Sequence, residues 1–489
     1  NENTKSIVPL STDIRAALQE ESEPYGKEGT RSFAVQIAQE NRFFHWPLEF
    51  PEIFQKNLGF DCVLGNPPWD RVKLQEKEFF AQKLPPIAEA ANKSIRDKLI
   101  EALCTGDDYE KELYKDFQKA CRNAEAVSSF VHFKDFEDCR FPLTGTGDVN
   151  LYALFAELIV NLRSVHGTAG FIVPSGIATD DGTKFYFEKI ATGGMLKSLY
   201  DFENKEGIFP NVHRSFKFCL ITLAPKEGLS DFAFFLLNTK ELDDERRHFT
   251  MSAEDFDLIN PNTHTCPVFR SKKDAELTKQ MYKRAGVFIK EKDTKNGNPW
   301  NISFKRLYDM SLDSKLFHTK PGKDETGSTL LPLYEAKMMH QFDHRWNTFT
   351  SPGTVESVTS TQKKDPLYTV TPQYWVSRAE TVLRTTTIDE KVVSALRSAL
   401  CSAKGSSEYS ALQEACYKTN DPNVKKVFDS YSQAGTDADL VKMLYALAEE
   451  HAPKYLMGWR GITNATNERT VISTIVTLCG VGHSANLYY

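Results

Sequence analysis

Four consecutive residues, Asn66, Pro67, Pro68 and Trp69, carry groups suited to gripping a flat, amine-bearing ring. An amide offers an acceptor and a donor pair, and an indole offers a broad stacking face. Prolines fix φ and donate no backbone hydrogen bond, so Pro67 and Pro68 hold the amide and the indole at a set separation. The tip follows a short apolar run that ends at Val63 and Leu64 and is broken by Gly65. It reads as a strand delivering a rigid tip, and ligands of open α/β sheets sit at such strand ends.

Other residue groups carry weaker chemistry. From Cys266 to Lys320 there are thirteen Lys and Arg against six Asp and Glu, a local excess of seven positive charges. Arg270, Lys272 and Lys273 open this stretch and are candidate phosphate contacts, although a solvated surface fits the same composition. Arg460, Asn464, Asn467 and Arg469, in GWRGITNATNERT, are dense in base- and phosphate-reading groups. A turn framework built on Asn and Thr reads equally well there. Glu335 and Lys337 in LYEAK have the E-x-K ending of a nuclease site, but no paired aspartate precedes them convincingly. His340 and His344 are spaced to share a helical face without an evident third ligand, so no metal site is expected.

The elements that must position these groups follow from pattern. Hydrophobic residues at 40% and charged residues at 26% over 489 residues describe a globular protein of two or more domains. No run of eighteen apolar residues exists, so no membrane partner is expected. Nine scattered cysteines without a CxxC argue against a disulfide framework or zinc site, and a reducing cytoplasm is the default location. Residues 1–40 read as a helical lead-in. Phe43–Phe54, with Pro47 and Pro51, reads as an extended segment feeding the Gly59–Leu64 strand. A helical insert is expected over about 81–138. Then come a loop with Asp148 as helix cap, a helix over Leu151–Arg163, a strand over Ala169–Pro174 after a turn at Gly167, and a helix over Thr183–Ile190. The strands Leu196–Glu203 and Phe216–Leu223 are expected to be antiparallel neighbours, because a loop of this length rarely completes a parallel crossover. Alternation is lost near 225–230, the firmest domain boundary in the sequence. Beyond it a strand is expected over Asp231–Asn238, helices over Ile388–Ala403 and Asp437–His451, and a strand over Val471–Leu478.

The chain resembles the N6-adenine DNA methyltransferases of the gamma order, specifically the large Type IIG restriction–modification enzymes and related phage-defence methylases. The resemblance rests on an ordered set of segments: WPLEFPEIF, FDCVLGNPPWDRVKLQEKEFF, GTGDVNLYALFAEL, GFIVPSGIATDDGTKFYFE, LYDFENKEGIFPNVHRSFKFCLITL, LYEAKMMHQFDHRW and GWRGITNATNERT. It implies an α/β fold: the second half of a class I, Rossmann-like methyltransferase sheet over 41–225 with its helical insert, then a mixed α+β target-recognition region over 226–489. It also implies double-stranded DNA as partner, a bacterial or archaeal cytoplasm, and S-adenosyl-L-methionine as cofactor. In such enzymes the target adenine is flipped from the duplex. The Asn66 side-chain oxygen and the Pro67 carbonyl would accept hydrogen bonds from its exocyclic amine. Trp69 would stack on one face of the base, with Phe209, in IFPNVHR, on the other.

One departure limits the resemblance. The F-x-G-x-G motif that binds the methionine part of the cofactor precedes the NPPW strand in this family, and residues 1–65 hold nothing like it. GTG at Gly145–Gly147 follows no strand, and CGVG at Cys479–Gly482 leaves no room for the helix that should follow. The expectation is therefore a chain lacking an N-terminal part of the same protein, cut also at the C-terminus, and inactive alone. Two alternatives stay open: a DNA-binding or specificity fragment without activity of its own, or an RNA or protein methyltransferase using the same tip.

Overall fold

The computed structural model describes residues 28–90, 92–132, 140–225, 228–351, 353–401, 406–432, 436–464 and 467–488. The chain divides into two compact units, Asn1–Asn298 and Pro299–Tyr489.

The first unit is built on a six-stranded sheet: β1 (Phe60–Gly65), β2 (Arg163–Pro174), β3 (Leu196–Glu203), β4 (Lys217–Leu223), β5 (Ser230–Leu236) and β6 (Phe249–Met251), in the order β1-β2-β4-β3-β5-β6. β1 runs parallel to β2, and β3 parallel to β5. β4 lies antiparallel between β2 and β3, as the short β3–β4 connection requires. β6 pairs antiparallel with β5. Hence β1, β2, β3 and β5 all point the same way and share one carboxyl edge.

Helix α1 (Leu151–Leu162) and helix α2 (Lys184–Thr192) carry Tyr152, Ala156, Ile159, Tyr186, Phe187 and Ile190 into the core against the sheet residues Phe171, Val173, Leu199, Ile221 and Phe232. Burying each large side chain of this kind is worth about 1.5–3 kcal/mol. Between β1 and α1 the chain leaves the sheet as helices over Glu76–Ala81, Pro85–Ala88, Lys93–Ala102 and Asp108–His132. The first three and the start of the fourth form their own small core around Phe80, Ile87, Ile100, Leu103 and Leu113.

Several local expectations are corrected. The Phe43–Phe54 segment is not extended but forms short helices over Trp46–Glu49 and Pro51–Asn57, because both prolines fall in a first helical turn, where a missing N–H costs nothing. The residue flanking α1 is Asn150, with no side-chain cap bond, whereas Asp148 pairs with Arg71 at 3.5 Å. Gly167 is not a turn before a strand. It lies in a bulge of β2, where register slips between Phe60↔Arg163 and Cys62↔Thr168, and a Cβ there would sit 2.4 Å from the Phe60 carbonyl. The boundary near 225–230 falls inside the first unit, since β5 and β6 continue the same sheet and the units divide at Asn298/Pro299. Most of the expected helical lead-in lies outside the described residues, which begin with a helix over Glu28–Asn41.

The described residues of the second unit form three small sheets. β7 (Phe304–Lys305), β12 (Tyr455–Arg460), β13 (Ser473–Thr477) and β15 (Ala485–Tyr488) form one, in the order β13-β12-β15-β7. β8 (Leu330–Tyr334), β11 (Trp375–Ser377) and β14 (Gly480–Val481) form another, and β9 (Asn347–Ser351) pairs with β10 (Thr354–Ser357). Helices over Arg378–Thr385, Glu390–Cys401, Ser406–Lys418, Pro422–Ser432 and Asp437–Glu450 build a separate apolar core that includes Val392, Leu396, Leu412, Val424 and Leu444.

Candidate active site

The Asn66–Trp69 tip leaves β1 at the carboxyl edge shared by the parallel strands. Gly59 allows β1 to start close against the α1–β2 junction. Its φ is +148°, and a Cβ there would lie 2.6 Å from the Leu162 carbonyl oxygen. Asn66 and Pro68 are exposed, Pro67 is buried and Trp69 is half-buried. The segment just after the tip is stitched to the loop that precedes α1: Leu151 N–H donates to Asp70 O at 2.8 Å, and Val72 N–H to Val149 O at 3.1 Å. Glu157, buried on α1, accepts from Thr144 N–H at 3.0 Å and Thr144 Oγ1 at 2.6 Å, fixing that loop from beneath. The long helical excursion therefore returns to brace the tip.

The indole is held on several sides. Its Nε1–H donates to Ile172 O at 3.3 Å. Phe209 meets it edge-on, centroids 5.9 Å apart and planes at 78°. Phe216 lies nearly parallel, at 5.5 Å and 11°, and Phe218 lies at 6.2 Å and 29°. The structure brings Trp69 and Phe209 together, but edge-on and in contact rather than as two parallel walls with room for a base between them. Phe216, 39% exposed, already lies against the indole face.

Phe209 is placed by a residue the sequence reading passed over. Asn204, fully buried at the end of β3, accepts from Phe209 N–H at 2.9 Å and donates through Nδ2 to Phe209 O and Val212 O. Gly207, at φ +73°, turns the chain between them. A buried amide with its donors and acceptor all used specifies one loop conformation.

A second cluster spans β3 and its neighbour β5 on the same edge. Asp201, buried on β3, accepts from Ser175 Oγ and from Phe235 N–H. Burial raises its pKa, with the Ser175 hydroxyl opposing. Phe235 adopts φ +60° and inserts one extra residue opposite β3, where the register slips between Tyr200 and Phe202. A left-handed non-glycine residue costs about 1–2 kcal/mol and persists only where its surroundings hold it. Lys217 Nζ lies 4.7 Å and the Arg270 guanidinium 4.2 Å from the centre of the Phe235 ring. Glu203 pairs with Lys205 and, at 3.2 Å, with Lys217; its hydrogen bond from Lys205 lowers its pKa.

The remaining candidates fall elsewhere. Lys272 and Lys273 are exposed at the start of helix α3 (Lys272–Ala285). In the second unit Arg460 points inward: its Nε donates to Met339 O at 3.0 Å, and burial lowers its pKa. Asn467 closes the turn, donating from Nδ2 to Thr463 Oγ1 at 2.7 Å and from its N–H to Asn464 O at 3.0 Å. Asn464 and Arg469 are exposed. Glu335 and Lys337 pair with each other at 3.2 Å, and His340 stacks on Trp346 at 4.3 Å. Among the described residues no group of His, Cys, Asp or Glu is arranged to hold a metal ion, and no helix is long and apolar enough to cross a membrane.

Residues 11–121 match the Eco57I restriction-modification methylase family. No curated protein sequence matches the chain. Among solved structures, the chain is similar to the type I restriction-modification methyltransferase subunit from Streptococcus thermophilus, with 13% identity, coverage of 44% of this chain and 39% of that one, and a TM-score of 0.25. It is similar to the Type IIL restriction-modification enzyme MmeI in complex with DNA, with 9% identity, 74% and 38% coverage, and a TM-score of 0.33. For the type IIG restriction endonuclease BpuSI the values are 12%, 75%, 38% and 0.24. The chain thus spans about two fifths of the length of each of these three proteins.

Among the described residues neither glycine pattern leads from a strand of the six-stranded sheet into a helix, the setting expected for the methionine part of S-adenosylmethionine. A Cβ on Gly145 would lie 2.2 Å from Val131 O, whereas one on Gly147, at φ +68°, would meet nothing within 4 Å, so the GTG loop is packed at its first glycine and open at its last. Gly480 sits in β14 beside β8, where a Cβ would meet the Val376 side chain at 2.5 Å.

Proposed function

We propose that this chain carries the base-gripping part of a site-specific DNA adenine-N6 methyltransferase of a restriction–modification or phage-defence system. The observation that carries the reading is the exposed Asn66 amide at the carboxyl edge of β1, beside an indole fixed by Ile172 O and met edge-on by Phe209. In this reading a flipped adenine offers its exocyclic amine to the Asn66 side-chain oxygen and the Pro67 carbonyl. Both accept, which frees the nitrogen lone pair for attack on a methyl group. Placement of acceptors and exclusion of wrong geometries account for much of the rate in such a site. S-adenosylmethionine would supply the methyl group.

The methyl-donor part is assigned to a strand that covers β1. Among the described residues β1 pairs with β2 alone, and Leu64, on the strand, is 84% exposed, with Leu58 just before it at 74%. A parallel strand with apolar side chains left in water is an edge suited to being covered. The glycine patterns favour a second reading, a DNA-specificity chain without activity of its own, since among the described residues neither leads from a strand of the six-stranded sheet into a helix. Mass spectrometry of nucleosides from DNA of cells expressing the protein separates the two. The first reading predicts N6-methyladenine that disappears with the gene; its absence favours the second.

A further inference from the structure

The Phe235 cluster lies on the same carboxyl edge as Asn66, and the adenine-gripping tip does not use it. Lys217 follows Phe216, the ring stacked on Trp69, and opens β4, two strand spacings or roughly 10 Å from β1. Phe235 is on β5, two strands further. Its backbone is forced left-handed, and the buried Asp201 carboxylate fastens its N–H in that conformation. The result is a half-buried ring with two cations over it. Lys205, Lys217 and Arg270 stand against two carboxylates, Glu203 and the buried Asp201, so the cluster keeps one positive charge over. Lys205 also pairs with Glu203, which leaves that carboxylate neutralised if Lys217 turns to another anion. An aromatic face orders a guanidinium without consuming its hydrogen-bond donors, and an ordered guanidinium beside an ammonium matches the oxygens of a phosphodiester.

Resting on the reading of the tip as a DNA-base site, we infer that Arg270 and Lys217, ordered on the Phe235 ring, grip a backbone phosphate of the strand that delivers the base, within a few nucleotides of it. Phe235 is a positioning residue for both cations, and Asp201 with Ser175 holds Phe235.

The test is binding of the full chain to a fluorescein-labelled duplex of mixed sequence across a sodium chloride series. Each phosphate contact contributes about 0.9 to the slope of log affinity against log salt. The double variant Arg270→Gln/Lys217→Gln is expected to lower that slope by about one to two and to weaken binding by roughly tenfold at low salt. Phe235→Leu keeps both charges and is expected to weaken binding less while leaving most of the slope. The exposed pair Lys418→Gln/Glu414→Gln in the second unit serves as a control with an unchanged slope. An unchanged slope in the Arg270/Lys217 variant, with the wild type binding normally, overturns the phosphate site alone. A wild-type chain that binds no duplex at any salt overturns the DNA reading of the tip as well. Circular dichroism of each variant shows whether it keeps the wild-type fold.

Discussion

β6 ends one side of the six-stranded sheet with three residues, and its apolar side chains, Phe249 and Met251, are 3% and 1% exposed. β1 ends the other side with six residues, of which Asp61, Cys62 and Leu64 are exposed. The first is a common way to finish a sheet: a short strand, followed here by a capped helix over Ala253–Ile259 that buries Phe256 and Ile259. The second leaves an apolar edge in water near the short helices Trp46–Glu49 and Pro51–Asn57, beside which Phe44, before the first, is 53% exposed and Phe50, between them, 39%. Among the described residues the sheet is thus finished at β6 and open at β1. The candidate site lies at the carboxyl ends of strands that span both halves, so its geometry is built from the finished part and reaches the bare edge at Asn66.

That contrast can be broken in order of effect. Phe232→Ala, in the finished half and fully buried, is expected to cost about 3–5 kcal/mol in urea unfolding. A cost below about 1 kcal/mol would mean that this core is loosely packed. Next comes Asp201, the buried group that links the edge to the core. Burial holds its folded-state pKa above the unfolded value near 3.9, so its charge costs stability above that raised pKa. The cost fades as pH falls through the raised value toward the ordinary range. Asp201→Asn removes the titration, so its stability relative to wild type is expected to be most favourable at neutral pH and to worsen steadily in acid. Urea midpoints between roughly pH 4 and pH 7 measure this, and parallel curves would contradict it. The smallest effect is expected at the bare edge: Leu64→Lys should change the stability of this chain by no more than about 0.5 kcal/mol. A loss of about 2 kcal/mol or more would show that Leu64 is packed.

Sequence pattern located the strands and helices around the site because their signals are local. The apolar spacing of Leu151–Leu162 and the run Phe216–Leu223 each leave little alternative. The antiparallel β3–β4 pair was readable from loop length alone. Asn204 and Asp201 carry no such local signal, although Asp201 stands as a polar residue between Tyr200 and Phe202 in the LYDFEN run. A buried polar residue announces a network only once its partners are known, and those partners, Phe209, Val212, Ser175 and Phe235, lie up to 34 residues away. Arg460 shows the opposite failure. Its residue type suits base reading, but its guanidinium is used within the protein on Met339 O. The same side chains read nucleic acid and cap turns, and only position at a ligand edge separates the two uses.

The central claim rests on the amide of Asn66. The most direct measurement compares Asn66→Ala with wild type in the protein as its gene encodes it, scoring N6-methyladenine in cellular DNA by mass spectrometry. Loss of an acceptor aimed at the reacting amine predicts a fall of roughly a hundredfold or more in methyl transfer. Adenine methylation that stays near the wild-type level in the Asn66→Ala variant would contradict the account.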